Sequence, residues 1–181
     1  SILLLLLVFL IFKFSIIMVY TLIVFGTISC VEFFSLIQKN KWERKIVFFI
    51  NLIFFIYIFI FCIFFFYFTG LIHLKIMLLI LLLSCVASDV GGFTFGKIFQ
   101  GPKLTKISPK KTISGSIGSL LITGFVFSTL IYYFTRNFEI KFLLVGILIS
   151  VVCQLGDLFF SYLKRRVRLN DTGNFLPGHG G

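Results

Sequence analysis

Apolar residues fill this chain in blocks long enough to cross a bilayer, separated by short polar stretches. Ser1–Phe12 is the first block and is followed by Lys13. Phe14–Ile37 then runs without a basic residue, and Ile46–Phe68 has Asn51 as its main polar break. Blocks of this length, wound as helices, span the ~30 Å of hydrocarbon in a bilayer. Ile76–Ala87 runs into Ser88 and Asp89. Ile117–Thr135 is a further block, and Phe142–Leu155 leads into a polar C-terminal stretch. The polar breaks are Gln38–Lys45, a turn through Thr69, Gly70 and His73–Lys75, the longer Lys97–Thr112, and Arg136–Lys141. This pattern predicts an all-α, polytopic membrane protein with about six transmembrane helices. Ser1–Phe12 lacks an initiator Met, a basic leader and a small-residue cleavage site, so it reads as the remnant of a spanning helix rather than a signal peptide.

Composition agrees. The 181 residues are 59% hydrophobic and 13% charged, with 27 Phe, whereas soluble domains carry about 25% charged residues. The net charge of +11 is therefore a matter of loop position at a membrane, and nucleic acid is excluded as the partner. Lys39, Lys41, Arg44 and Lys45 form one basic cluster. Lys97, Lys103, Lys106, Lys110 and Lys111 form a second, and Lys164, Arg165, Arg166 and Arg168 a third. Each lies two spans from the last, so all three share one side, which the positive-inside rule assigns to the cytoplasm. Cys30, Cys62, Cys85 and Cys153 sit in apolar surroundings without a Cys-x-x-Cys spacing. They read as small buried hydrophobes, not as disulfides or metal ligands.

Chemistry-bearing residues gather in two places. In Gly156–Gly181, Asp157 is followed at helical spacing by Ser161, Lys164, Arg165 and Arg168. One helix face then carries a metal-capable carboxylate and, after it, cations, which suits a polyphosphate with its counter-cation. Asn170–Gly173 is a turn signal, and Pro177–Gly181 is backbone able to approach a ligand closely. The second place is Gly101–Gly115, where Ser108-Pro109-Lys110-Lys111-Thr112 sets hydroxyls and point-charge ammonium groups on a stiffened loop. Asp89 ends the apolar run before that loop, where a carboxylate faces a cavity or a partner. Gly91–Lys97 spells the spacing of a phosphate-binding loop, but Ile98 replaces the required Ser or Thr and no strand precedes it, so that reading fails.

These residues resemble the phosphatidate cytidylyltransferase (CDP-diacylglycerol synthase) family. Ser161, Leu163, Lys164, Arg165, Asp171, Gly173, Leu176, Pro177, His179, Gly180 and Gly181 fit its signature. Asp89, Gly91, Phe93, Gly96, Lys103, Leu104, Ser108, Pro109, Lys110, Lys111, Thr112 and Gly115 fit its cytoplasmic loop. Asn170 stands where the family has Lys, and Ser114 where it has Glu. The chain also stops before the Asp-Arg-x-Asp that closes the signature, so a fragment, inactive by itself, is expected.

The resemblance implies transfer of CMP from CTP to phosphatidic acid at the cytoplasmic face of a bacterial inner membrane. It implies Mg2+ held through Asp157, with a second, monovalent cation allowed for. Lys164, Arg165, Asp171 and His179 are the expected catalytic residues. Asp89, Ser108, Lys110, Lys111, Thr112 and Ser161 are the expected substrate-binding residues. The expected partners are CTP, phosphatidic acid and membrane lipids, with a homodimer as the assembly to test. The expected division is residues 1–88, N-terminal transmembrane helices, and 89–181, the catalytic transmembrane region with its cytoplasmic loops. The competing class is a transporter or channel segment with Asp89 and Asp157 as intramembrane ion ligands. It accounts for the acids, but not for the clustered Lys and Arg or the His-Gly-Gly turn.

Overall fold

The computed structural model describes residues 15–40, 42–105, 108 and 111–166. Five α-helices lie within them: α1 Ser15–Gln38, α2 Arg44–Phe68, α3 Ile72–Phe99, α4 Ile113–Thr135 and α5 Ile140–Arg166. The shortest, α4, has 23 residues, about 35 Å at the standard rise. All five are long and apolar enough to cross a membrane, and Ser1–Phe12 lies outside the described residues. The only bridge among the described residues is the isolated pair Lys103 and Thr112. The chain is therefore an all-α, polytopic integral membrane protein.

Three boundaries differ from the sequence pattern. His73–Lys75 is helical, because α3 already begins at Ile72. Asp89 does not end its run: α3 continues through Val90-Gly91-Gly92 to Phe99, which draws Lys97 into its last turn. The glycines weaken a helix alone, but they face close packing. A Cβ on Gly91 would lie 2.9 Å from the Gly118 carbonyl oxygen. Finally, α4 starts four residues before Ile117, because Thr112 caps it: its hydroxyl accepts from the Gly115 N–H at 3.1 Å.

The described residues form two compact units, one comprising those up to Leu78 together with those from Leu163, the other Leu79–Tyr162. In the first, Phe33, Leu36 and Ile37 bury against Leu163, with Val47, Ile50 and Phe54 packed around them. Phe33 and Phe54 stack with ring centroids 3.8 Å apart. The Arg166 guanidinium lies over the Trp42 ring at 5.0 Å, a cation–π contact.

In the second unit, glycine contacts let helices approach closely. A Cβ on Gly115 would meet the Gly92 carbonyl oxygen at 2.6 Å, and one on Gly146 would meet the Gly124 Cα at 2.8 Å. Large apolar side chains such as Phe125, Leu148 and Val152 face outward, as lipid-facing positions do.

Candidate active site

The second unit has a half-open cavity of about 240 Å3 among its helices, lined by polar side chains together with Phe93 and Leu104. From α3 come Ser88, Asp89 and Gly92, and from α4 Gly115, Ser116 and Ser119. Gln154 and Asp157 come from α5. The α3–α4 loop adds Leu104, Lys111 and Thr112.

That loop is held by its own backbone. Leu104 N–H donates to the Lys111 carbonyl at 2.8 Å, and Ile113 N–H donates to Pro102 at 2.9 Å. Lys111 N–H donates to Ser108 at 3.1 Å. Folded back this way, the loop delivers Lys111 to α5. Its Nζ donates to Asp157 Oδ2 at 2.8 Å, an ion pair between side chains 30% and 57% exposed. The pair spans 46 residues of sequence, and no spacing rule points to it.

Of the expected site residues, Asp89, Lys111, Thr112 and Asp157 converge on the cavity. Ser108 positions the loop through its carbonyl but is not among the lining residues. Ser161, Lys164 and Arg165 follow Asp157 along α5 at helical spacing, Lys164 and Arg165 in its last turn; none of the three lines the cavity. Lys110, Asp171 and His179 lie outside the described residues.

Gln154, Ser116 and Ser119 were missed in the sequence. The Ser116 hydroxyl donates to Gln154 Oε1, and Gln154 Nε2 donates to the Ser116 carbonyl at 3.3 Å. A signal for them exists. Thr112, Ser116, Ser119 and Thr123 repeat at helical spacing, as do Ser150, Gln154, Asp157 and Ser161, which marks a polar stripe on each of two apolar helices.

The oxygen donors suit a hard cation. Among the described residues no three His, Cys, Asp or Glu side chains cluster. Two carboxylates, Asp89 and Asp157, nonetheless line one cavity with hydroxyl and amide oxygens. Mg2+ takes one or two carboxylates, water and substrate phosphates; at Asp157 it would take the place of the Lys111 ammonium, which is the cation paired there.

The sequence profile of the Cytidylyltransferase family matches residues 1–181. The chain belongs to this family. A relative named phosphatidate cytidylyltransferase from Rickettsia felis is 39% identical over 115 residues, covering 57% of this chain and 50% of the relative. One of the same name from Synechocystis is 37% identical over 110 residues, covering 59% and 37%. One from Helicobacter pylori is 39% identical over 101 residues, covering 56% and 38%. The chain spans about half the length of the curated Rickettsia relatives it matches.

Proposed function

We propose that the protein transfers CMP from CTP to phosphatidic acid, giving CDP-diacylglycerol and pyrophosphate. The observation that carries this reading is the cavity joining Asp89, Lys111, Thr112 and Asp157 within membrane-spanning helices, in a chain of the Cytidylyltransferase family. A phosphate oxygen of the lipid attacks the α-phosphorus of CTP. A bond forms between that oxygen and the α-phosphorus, the bond from the α-phosphorus to the α–β bridging oxygen breaks, and pyrophosphate leaves with the bridging oxygen. The attacking group is already an anion, so no strong general base is needed. What the site has to supply is charge neutralisation between two anions.

Lys111 supplies a positioned ammonium, and Thr112, on the same wall, keeps α4 capped there. Asp89 and Asp157 would hold Mg2+, which when bound offsets charge on the transferred and leaving phosphates. Lys164 and Arg165 are assigned phosphate holding from their place in the motif, and Ser161 a hydrogen bond to phosphate or metal-bound water. Ser108 and Lys110 are assigned to the same substrate-binding loop as Lys111 and Thr112 from their place in the motif. Asp171 and His179 would order the glycine-rich loop over the nucleotide. A bacterial inner-membrane setting with the site facing the cytoplasm belongs to the same proposal, supported by the three basic clusters; so does pairing of two copies, which a sizing experiment in detergent would test.

CTP-dependent incorporation of labelled CMP into lipid, in membranes carrying the full-length protein, is the test. Wild-type activity should require Mg2+, and Asp157→Asn should abolish it, because the amide keeps the shape and loses the charge. Undiminished incorporation with Asp157→Asn would overturn this assignment of the site.

A further inference from the structure

Two residues of the cavity lining, Ser88 and Ser119, join Ser150 in a ring of three hydroxyls from three helices. Ser88 Oγ on α3 lies 2.7 Å from Ser119 Oγ on α4 and 3.1 Å from Ser150 Oγ on α5. Ser119 and Ser150 are 2.9 Å apart. All three are buried, Ser150 completely. Ser119 Oγ is also 2.9 Å from the Ser88 carbonyl. Gln154 Nε2 donates to Ser150 Oγ at 3.2 Å, which ties the ring to the Gln154–Ser116 pair in the cavity wall.

We propose that Ser88, Ser119 and Ser150 are positioning residues, which set the axial register of α3, α4 and α5 and thereby the meeting of Asp89 and Asp157. The other contacts among these helices include glycine backbone and apolar side chains such as Ile122, Phe127 and Ile147, which carry little directional preference. In lipid the hydrophobic effect does not drive helices together either. A slip of one residue moves a helix ~1.5 Å along its axis, whereas a hydroxyl hydrogen bond tolerates only about 0.5 Å. The ring therefore holds one register and rejects its neighbours. The register passes directly to the acids. Asp89 follows Ser88 in the chain, and Asp157 lies two turns beyond Ser150 on the same face of α5. The Ser119 proton also has the Ser88 carbonyl as acceptor and Ser150 Oγ also accepts from Gln154 Nε2, so the three oxygens share a small set of donors, and removing one hydroxyl removes two of the three contacts between helices.

The chain carries its own register gauge. Cys85 on α3 and Cys153 on α5 hold their Sγ atoms 3.6 Å apart. In a background with Cys30 and Cys62 replaced by Ala, iodine oxidation should join the two thiols rapidly, and peptide mass spectrometry reads the product. Ser150→Ala and Ser88→Ala should slow this crosslink about three- to twentyfold, the range interhelical hydrogen bonds in membranes support. Ser128→Ala is the control: it removes an equally buried hydroxyl whose bond, 2.8 Å to the Gly124 carbonyl, stays within α4. It should leave the rate unchanged.

The second readout rests on the function proposed above. In a chain with all four cysteines, Ser150→Ala should raise the Mg2+ concentration for half-maximal CMP transfer by a similar factor, at unchanged protein abundance. If Ser150→Ala does not accumulate, Ser119→Ala, which removes the α4 member of the ring, must slow the crosslink instead. Equal crosslinking rates in Ser150→Ala and Ser128→Ala would overturn the proposal. A slowed crosslink in membranes without CMP transfer would uphold the register and count against the activity alone.

Discussion

Lys111 and Asp157 form a pair whose value lies in chemistry rather than stability. Both side chains are partly exposed, and such pairs contribute ~1 kcal/mol or less. Lys111→Met should therefore leave thermal unfolding in detergent nearly unchanged. It should lower CMP transfer by about 10² to 10³, the loss typical of one positioned charge-stabilising donor. A fall in stability that matched the fall in activity would mean that the ammonium only ties the loop to α5. Each residue was readable singly. Lys111 stands two residues after a proline in a basic loop, and Asp157 interrupts an apolar run before a cluster of cations. Their contact was not readable, because the backbone bonds that fold the loop back from Pro102 to Ile113 have no side-chain signature.

At the scale of elements, a capping hydroxyl and a glycine decide where α4 starts and how closely it packs. Thr112→Ala removes the acceptor for the Gly115 N–H and should cost ~1 kcal/mol. Thr112→Ser should restore that stability, as followed by unfolding of the purified protein. Gly115→Ala is expected to cost more than its favourable helix propensity returns. Its Cβ would meet backbone oxygen at 2.6 Å, and forced overpacking costs ~1–3 kcal/mol. An unfolding temperature at or above wild type would mean that α3 and α4 do not pack this closely in the membrane. The same contact explains why α3 outruns its sequence pattern. Gly91 and Gly92 weaken a helix in isolation, yet in the folded unit they are the residues that let α4 approach.

Over the whole molecule, the arrangement of basic clusters predicts sidedness. With the native cysteines replaced, single cysteines at Lys41 or Lys103 should resist an impermeant external thiol reagent in intact bacterial cells, and a cysteine at Asn137 should react. External labelling at Lys103 would put the cavity on the wrong face for CTP and overturn the proposed orientation. Fold class follows from the chain alone, since long apolar runs have no other stable form in a bilayer than helices that satisfy their own backbone. The chemistry was also legible, because acids and clustered cations are costly in such a chain and stand out against phenylalanine and leucine. The tertiary structure alone decided which of these groups meet. Ser88, Ser119 and Ser150 look like unremarkable small residues in three separate helices, and Lys111 is 46 residues from Asp157. Helical periodicity places a residue on a face of its own helix. It says nothing of rotation or register against another helix, and these depend on glycine contacts and hydroxyl bonds that exist only once the helices have packed.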